Sequence, residues 1–177
     1  MRIISGKYKG RRIIAPKNLP IRPTTDRAKE ALFNILRNQY HFPQLKVLDL
    51  FTGSGGIAYE FASRGSKDIQ AVDKNFPVIK FVKKISNEFD FPIKVIKYDV
   101  ARFLDKTTDR YDIIFADPPY DFSVEELTLI IDKVFERNLL KTDGQLILEH
   151  IDKLDFSNHP HFKEDRIYGL SKFSFFE

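Results

Sequence analysis

From Lys46 onward the apolar positions switch repeatedly between short continuous runs and helical spacing. Val47–Phe51, Asp68–Asp73, Ile93–Asp99, Tyr111–Asp117 and Gln145–Glu149 are compact apolar runs of strand length. Between them, Ile57–Arg64, Phe76–Phe89, Val100–Leu104 and Val124–Phe135 read as helices. Phe76, Ile79, Val82, Ile85 and Phe89 share one helical face. Ser123 suits an N-cap, with Glu125 and Glu126 in the first turn. Gly65 suits a C-terminal cap. Lys141–Gly144 reads as a turn, and residues 151–160 as a loop or short helix. Phe162–Tyr168 and Lys172–Phe176 flank Gly169-Leu170-Ser171 and predict a closing antiparallel pair. This alternation predicts an α/β fold: a doubly wound, mostly parallel sheet with helices on both faces.

The first 40 residues follow a different pattern. Arg2–Gly6 and Arg11–Ala15 are short β-type runs around Lys7-Tyr8-Lys9-Gly10, which predicts a β-hairpin. Pro16, Pro20 and Pro23 mark an extended linker. Thr24, Thr25 and Asp26 then offer acceptors to a helix whose apolar face is Ala28, Ala31, Leu32, Ile35 and Leu36. The expected organisation is a small hairpin-and-helix extension, residues 1–40, packed on a main domain, residues 41–177.

Composition narrows the chemistry. The 177 residues contain no cysteine, which excludes disulfides and thiolate metal sites. No apolar run reaches membrane-span length, and the first residues lack a signal-peptide core. A cytoplasmic protein is expected. The net charge of +4 is unevenly spread. Residues 1–29 hold nine Lys/Arg and one acid, a net +8, while the remainder nets −4. A basic head on an acidic body suits a polyanionic partner, although a solvated surface hairpin would look similar. Lys7, Tyr8, Lys9, Arg11, Arg12 and Arg22 are the expected contacts.

The candidate chemistry collects at strand ends. Asp49, Asp73, Asp99 and Asp117 fall at or near the carboxyl ends of successive predicted strands, which line one rim in a parallel sheet. Four carboxylates on one rim repel unless ligand groups lie between them. Gly53-Ser54-Gly55-Gly56-Ile57-Ala58 fits a Gly-x-Gly-x-x-Gly/Ala loop, with Asp73 20 residues after Gly53. That suits a dinucleotide, with Asp73 accepting from two ribose hydroxyls. Asp49 just before the loop disfavours a pyrophosphate and favours a cationic group, such as the α-ammonium of S-adenosylmethionine. Asp117-Pro118-Pro119-Tyr120 closes the central strand. Neither proline can continue the ladder, so a carboxylate, a stiff carbonyl and a flat ring meet at its tip. Such a tip suits a planar substrate bearing an amino group.

These segments resemble the class I S-adenosylmethionine-dependent methyltransferases, whose sheet is Rossmann-like. More closely, they resemble the RsmD-type enzymes that methylate guanine N2 in small-subunit (16S) ribosomal RNA. Arg2–Gly6 with Gly10-Arg11-Arg12, Arg22–Arg27 with Glu30–Leu36, Leu48–Gly55, Ser63-Arg64-Gly65 and Asp117–Tyr120 carry the likeness, which spans the chain. Thr52 and Asp73 depart from the alanine and glutamate more usual there. The resemblance implies S-adenosylmethionine held by Thr24, Asp49, Phe51, Gly53, Gly55, Asp73, Lys74, Asp99 and Val100. It implies catalysis by Asp117, Pro118, Pro119 and Tyr120. Asp117 and the Pro118 carbonyl would accept the two amine N–H groups, and Tyr120 would stack on the base.

Other readings fit parts of the chain. A nicotinamide-dependent dehydrogenase could use the glycine loop, and a non-catalytic RNA-binding module the basic head. An adenine-N6 DNA methyltransferase or a protein glutamine methyltransferase could use the Pro-Pro-Tyr tip. No metal site is expected. His159 and His161 stand without an acidic or cysteine cluster, and His41 and His150 are expected at the surface or an edge. Ser54 has no histidine partner to make it a nucleophile. Nothing in the sequence demands a dimer.

Overall fold

A computed structural model describes residues 1–17, 19, 24–169 and 171–177. A seven-stranded sheet has the order β3-β2-β1-β4-β5-β7-β6. The strands are β1 Lys46–Leu50, β2 Asp68–Asp73, β3 Ile93–Lys97, β4 Tyr111–Ala116, β5 Leu140–Ile151, β6 Phe162–Tyr168 and β7 Ser171–Phe176. β1 to β5 are mutually parallel; β7 pairs antiparallel with both β5 and β6. The helices are α1 Asp26–Leu36, α2 Gly56–Ser63, α3 Phe76–Glu88, α4 Val100–Lys106 and α5 Val124–Glu136.

Strand periodicity assigns the layers. Val47, Ile69, Ala71, Ile113, Phe115 and Ile147 pack with α1 and α2 on one face. Leu48, Leu50, Val72, Ile114, Ala116 and Leu146 pack with α4 and α5 on the other. Local chemistry sets the helix ends. Thr25 Oγ1 accepts from Ala28 N, and Ser123 and Glu126 form a capping box. The residue after the α2 cap, Gly65, is left-handed at φ 104°.

Three details differ from the sequence expectation. The N-terminal runs form one antiparallel bridge, Arg2 to Arg12, rather than a ladder. Ile3 N donates to Arg11 O and Ile13 N to Met1 O across the pair, while the outward amides bond to α2: Ile4 N and Ser5 N donate to Glu60, and Lys7 N to Ser63 O. The turn at Lys141–Gly144 is a bulge inside β5, because Tyr111 pairs with Leu140 while Ile113 pairs with Gln145. His150 is buried rather than at an edge, with Nε2 2.8 Å from Ser174 Oγ across the β5–β7 pair. Burial lowers its pKa. Arg22, part of the expected RNA contact, lies outside the described residues.

The first residues dock on the body through an apolar patch and a buried charge network. Ile3 and Ile13 pack with Tyr59, Val78, Phe81 and Val82. Glu60, fully buried on α2, also accepts from Arg64 Nε at 3.0 Å and lies 3.8 Å from Lys29 Nζ. Lys29, equally buried, donates to Arg2 O at 2.6 Å. Desolvation lowers its pKa, opposed by the nearby Glu60 and Asp26 carboxylates. A buried charge requires such partners, because an unpaired one would be strongly destabilising. Neither Lys29 nor Glu60 carries a motif; only their helical placement and burial identify them.

Candidate active site

The sheet order reverses between β1 and β4. Chain connections leave in opposite directions there and open a crevice at the carboxyl ends of the strands. A cleft of about 570 Å³ occupies this position, within the range of small-molecule sites. One flank is Phe51, Gly53, Asp73, Lys74, Asn75 and Val78. The opposing flank is Asp117, Pro118, Pro119, Tyr120, Phe122 and Glu149. Thr24, Thr25 and Ser171 complete the lining.

The glycine loop turns the chain from β1 into α2 through three left-handed residues, Phe51 (φ 57°), Gly53 (φ 50°) and Gly55 (φ 79°). Gly53 thereby brings bare backbone to the cleft wall. At Gly55 a Cβ would stand 2.5 Å from the Tyr59 ring, so that glycine is required by packing. Phe51 adopts this conformation without being glycine, a strained arrangement at a cleft-lining position.

Asp73 ends β2. Its Oδ1 accepts from Asn75 N at 2.8 Å and its Oδ2 from Gly53 N at 3.2 Å. The carboxylate therefore pins the glycine loop to the start of α3 while lining the cleft. Each oxygen retains a second lone-pair direction, so these bonds are compatible with accepting from a diol.

Asp49 lies deeper, 2% exposed, on the floor of a small cavity beneath the loop shared with Met1, Thr24, Lys29 and Asp117. Thr52 Oγ1 donates to Asp49 Oδ2 at 2.6 Å. Desolvation pushes its pKa up to about 7, against the hydrogen bonds from Thr52 and the Ala58 backbone. The environment resists an isolated negative charge there and rewards a cation placed nearby.

Asp117 follows β4, with its backbone N donating to Leu50 O at 3.3 Å. Pro118 is buried, Pro119 exposed, and Tyr120 half-buried. The ring of Phe122 meets Phe51 edge-on at 5.6 Å, so the two loops brace each other across the crevice.

Asp49, Phe51, Gly53, Asp73, Lys74, Thr24 and Asp117–Tyr120 thus surround one crevice and its floor. Gly55, Asp99 and Val100 stand apart from the cleft lining. Asp99 caps α4, accepting from Arg102 N at 3.1 Å, and Val100 is buried in the core. Phe76, expected on the apolar face of α3, is 60% exposed with Lys97 Nζ 5.3 Å from its ring centroid. Lys7, Tyr8, Lys9 and Arg11 lie at the turn of the N-terminal segment, against the ends of α2 and α3. Arg12 is exposed on the arm beyond that turn.

Sequence reasoning missed Glu149. The pairing of Ala116 with Leu148 places it level with Asp117 on the neighbouring strand. It is 2% exposed and accepts from Thr24 Oγ1 at 2.8 Å. A lone acid closing the run Gln145–Glu149 was its only signal.

His159 and His161 have structural partners. Nε2 of His159 lies 3.1 Å from Asp132, and His161 stacks on Phe135 at 3.7 Å. Among the described residues, no group of three or more His, Asp or Glu is placed to hold a metal ion. Nor is any described helix long and apolar enough to cross a membrane.

Comparison with known proteins gives a concordant result. Residues 1–177 match the family model described as conserved hypothetical protein 95. The chain is 36% identical over 155 residues to a putative rRNA methyltransferase, YlbH, of Bacillus subtilis, covering 85% of this chain and 82% of that protein. It is 32% identical over 156 residues to ribosomal RNA small subunit methyltransferase D of Buchnera aphidicola, covering 88% and 78% respectively. The putative methyltransferase yhhF from Escherichia coli superposes with a TM-score of 0.85 at 24% identity, over 99% of this chain and 96% of that one.

Proposed function

The chain belongs to the RsmD-type methyltransferase family, conserved hypothetical protein 95, and from its cleft we propose that it methylates the N2 amine of a guanine in small-subunit ribosomal RNA. The observation that carries this reading is one cleft walled by Asp73 and the glycine loop on one side and by Asp117–Tyr120 on the other. The first wall suits a nucleoside cofactor and the second a planar amine. Asp73, hydrogen-bonded to the glycine loop, would accept from the ribose hydroxyls, and Asp49 beneath the loop favours a cationic group. These features fit S-adenosylmethionine. That cofactor, when bound, supplies an electrophilic methyl on its sulfonium.

Asp117 accepts one N–H of the exocyclic amine, and the carbonyl of Pro118 the other. The nitrogen lone pair, delocalised into the ring in the free base, is thereby directed at the methyl. With the cofactor bound, methyl transfer to this nitrogen would release S-adenosylhomocysteine, and the proton lost from the amine would pass to solvent. Asp117 stabilises the positive charge that develops on nitrogen. Positioning supplies much of the remaining acceleration. Tyr120 stacks on the base, which must be unstacked or already exposed in the RNA. Glu149, on the same side of the crevice, adds an acceptor suited to the guanine N1–H, and Thr24 orients it. We place the reaction in the cytoplasm, on ribosomal RNA or a small-subunit particle, with the protein acting as a monomer.

Transfer of a tritiated methyl from S-adenosylmethionine to small-subunit RNA and particles, followed by nucleoside analysis, tests the reading. Label in N2-methylguanosine is expected. Label in N6-methyladenosine would refute the guanine assignment, and absence of transfer together with tight NAD binding would refute the activity.

A further inference from the structure

The basic turn of the N-terminal segment and the cleft do not adjoin. The turn carrying Lys7 and Lys9 sits at the far end of α3, where Tyr8 Oη donates to Phe89 O at 2.8 Å and the Tyr8 ring meets Phe89 and Phe91 edge-on at 5.3 and 5.1 Å. The cleft lies at the near end of α3, whose Asn75 cap and Val78 line it. The intervening helix has 13 residues, about 20 Å at 1.5 Å per residue. An RNA whose base enters the cleft must cross that interval to reach the turn.

The side of α3 turned to solvent is positive along this path. Lys80, Lys83 and Lys84 are exposed and spaced to share one face. The apolar side of the helix is covered by Ile3, Ile13 and the sheet. Among the described residues, none of the three lysines is in an ion pair. Residues 74–97 carry six lysines against two acids, a net +4, whereas residues 98–177 carry 10 basic and 17 acidic groups, a net −7. Because β3 and β6 are opposite edges of the sheet, the molecule is polarised across its width. Lys94 and Lys97 on edge strand β3 add to the charge but also block edge-to-edge pairing. The lysines of α3 have no edge to protect.

We propose that the outer face of α3 is an RNA phosphate track, with Lys80, Lys83 and Lys84 linking the cleft to the basic turn. Docking Tyr8 against Phe89 and Phe91 joins two sequence-distant basic segments into one surface. The inference rests on the RNA substrate proposed above.

The test is a salt titration of binding between the full-length protein and a small-subunit ribosomal RNA fragment. Lys80→Glu/Lys83→Glu/Lys84→Glu and its neutral counterpart, all three to Gln, are compared with Lys153→Glu from the acidic half. Loss of three phosphate contacts reduces the slope of log K against log salt by about 2 and weakens binding about tenfold or more near 0.1 M salt. Affinity for S-adenosylhomocysteine stays unchanged in all variants and reports an intact fold. Lys153→Glu binds RNA like the wild type. Wild-type slope and affinity in both triple variants would overturn the track while leaving the RNA substrate standing. A wild type that neither binds nor methylates ribosomal RNA would remove the substrate reading and the track together.

Discussion

On the β1–β2 side of the cleft, hydrogen bonds hold the loop in place: Thr52 donates to Asp49, and Gly53 N and Asn75 N to Asp73. On the β4–β5 side, the tip is stiffened instead by covalent rings. Pro118 and Pro119 contribute no N–H and each fixes its φ. Asp117 is half-buried there and Pro119 exposed, whereas Asp49 is buried completely. On the proposed function, the first wall is a preformed socket for a small molecule that enters whole. The second, on the same reading, is a rigid platform left open for a base attached to a much larger molecule. The two walls should therefore fail separately.

Asp117→Ala is the most damaging change expected, lowering methyl transfer on the order of 10³-fold by removing stabilisation of the charged nitrogen. S-adenosylhomocysteine binding, measured by calorimetry, stays within about twofold, because no contact of the other wall is lost. A parallel loss of cofactor binding would mean that the walls are one unit.

Asp73→Ala gives the complementary result. It weakens S-adenosylhomocysteine binding about 100-fold through the loss of charge-assisted bonds and of the loop's anchor. RNA affinity is unchanged in filter binding.

Tyr120→Ala raises KM for RNA about 30-fold, within the usual range for loss of an aromatic stacking partner. An effect confined to kcat would show that the ring acts on the reacting amine rather than holding the base.

The smallest effect concerns Asp49. With its pKa raised to about 7, the folded protein holds a proton that the unfolded chain, near 3.8, has already released. Its contribution to stability is complete below pH 4 and falls as pH rises towards 7, then stays level. Cofactor affinity runs the other way, since a cationic group prefers the ionised form. S-adenosylmethionine binds about tenfold more weakly at pH 6 than at pH 8. Asp49→Asn flattens that profile; a profile unchanged in the variant would place the titration elsewhere.

The strands and helices of the main sheet were legible because their signals are local. A short apolar run bounded by Gly53 and Gly55, the Ser123 cap and the helical spacing in α3 each act within a few residues. Asp73 and Asp117 were legible because loop chemistry and proline chemistry identify strand ends. Glu149 was not, because its meaning comes from the register of β4 with β5 and from Thr24, 125 positions away. Arg2–Gly6 resembles a strand residue by residue, but beyond its one bridge the buried carboxylate of Glu60 takes the amides of Ile4 and Ser5. The position of the basic turn likewise depends on Tyr8 meeting Phe89, a contact that no local pattern encodes.

That capture by Glu60 has a consequence for the breathing motions of the protein. Chain termini ordinarily fray, and their amide protons exchange quickly with solvent. Here Ile4 N and Ser5 N are bonded to a carboxylate inside the body, on the helix that begins at the glycine loop. To expose those amides, a buried anion must lose two donors beside Lys29. Ile4 and Ser5 are therefore expected to open together with α2, and exchange of their amide protons to be slowed accordingly.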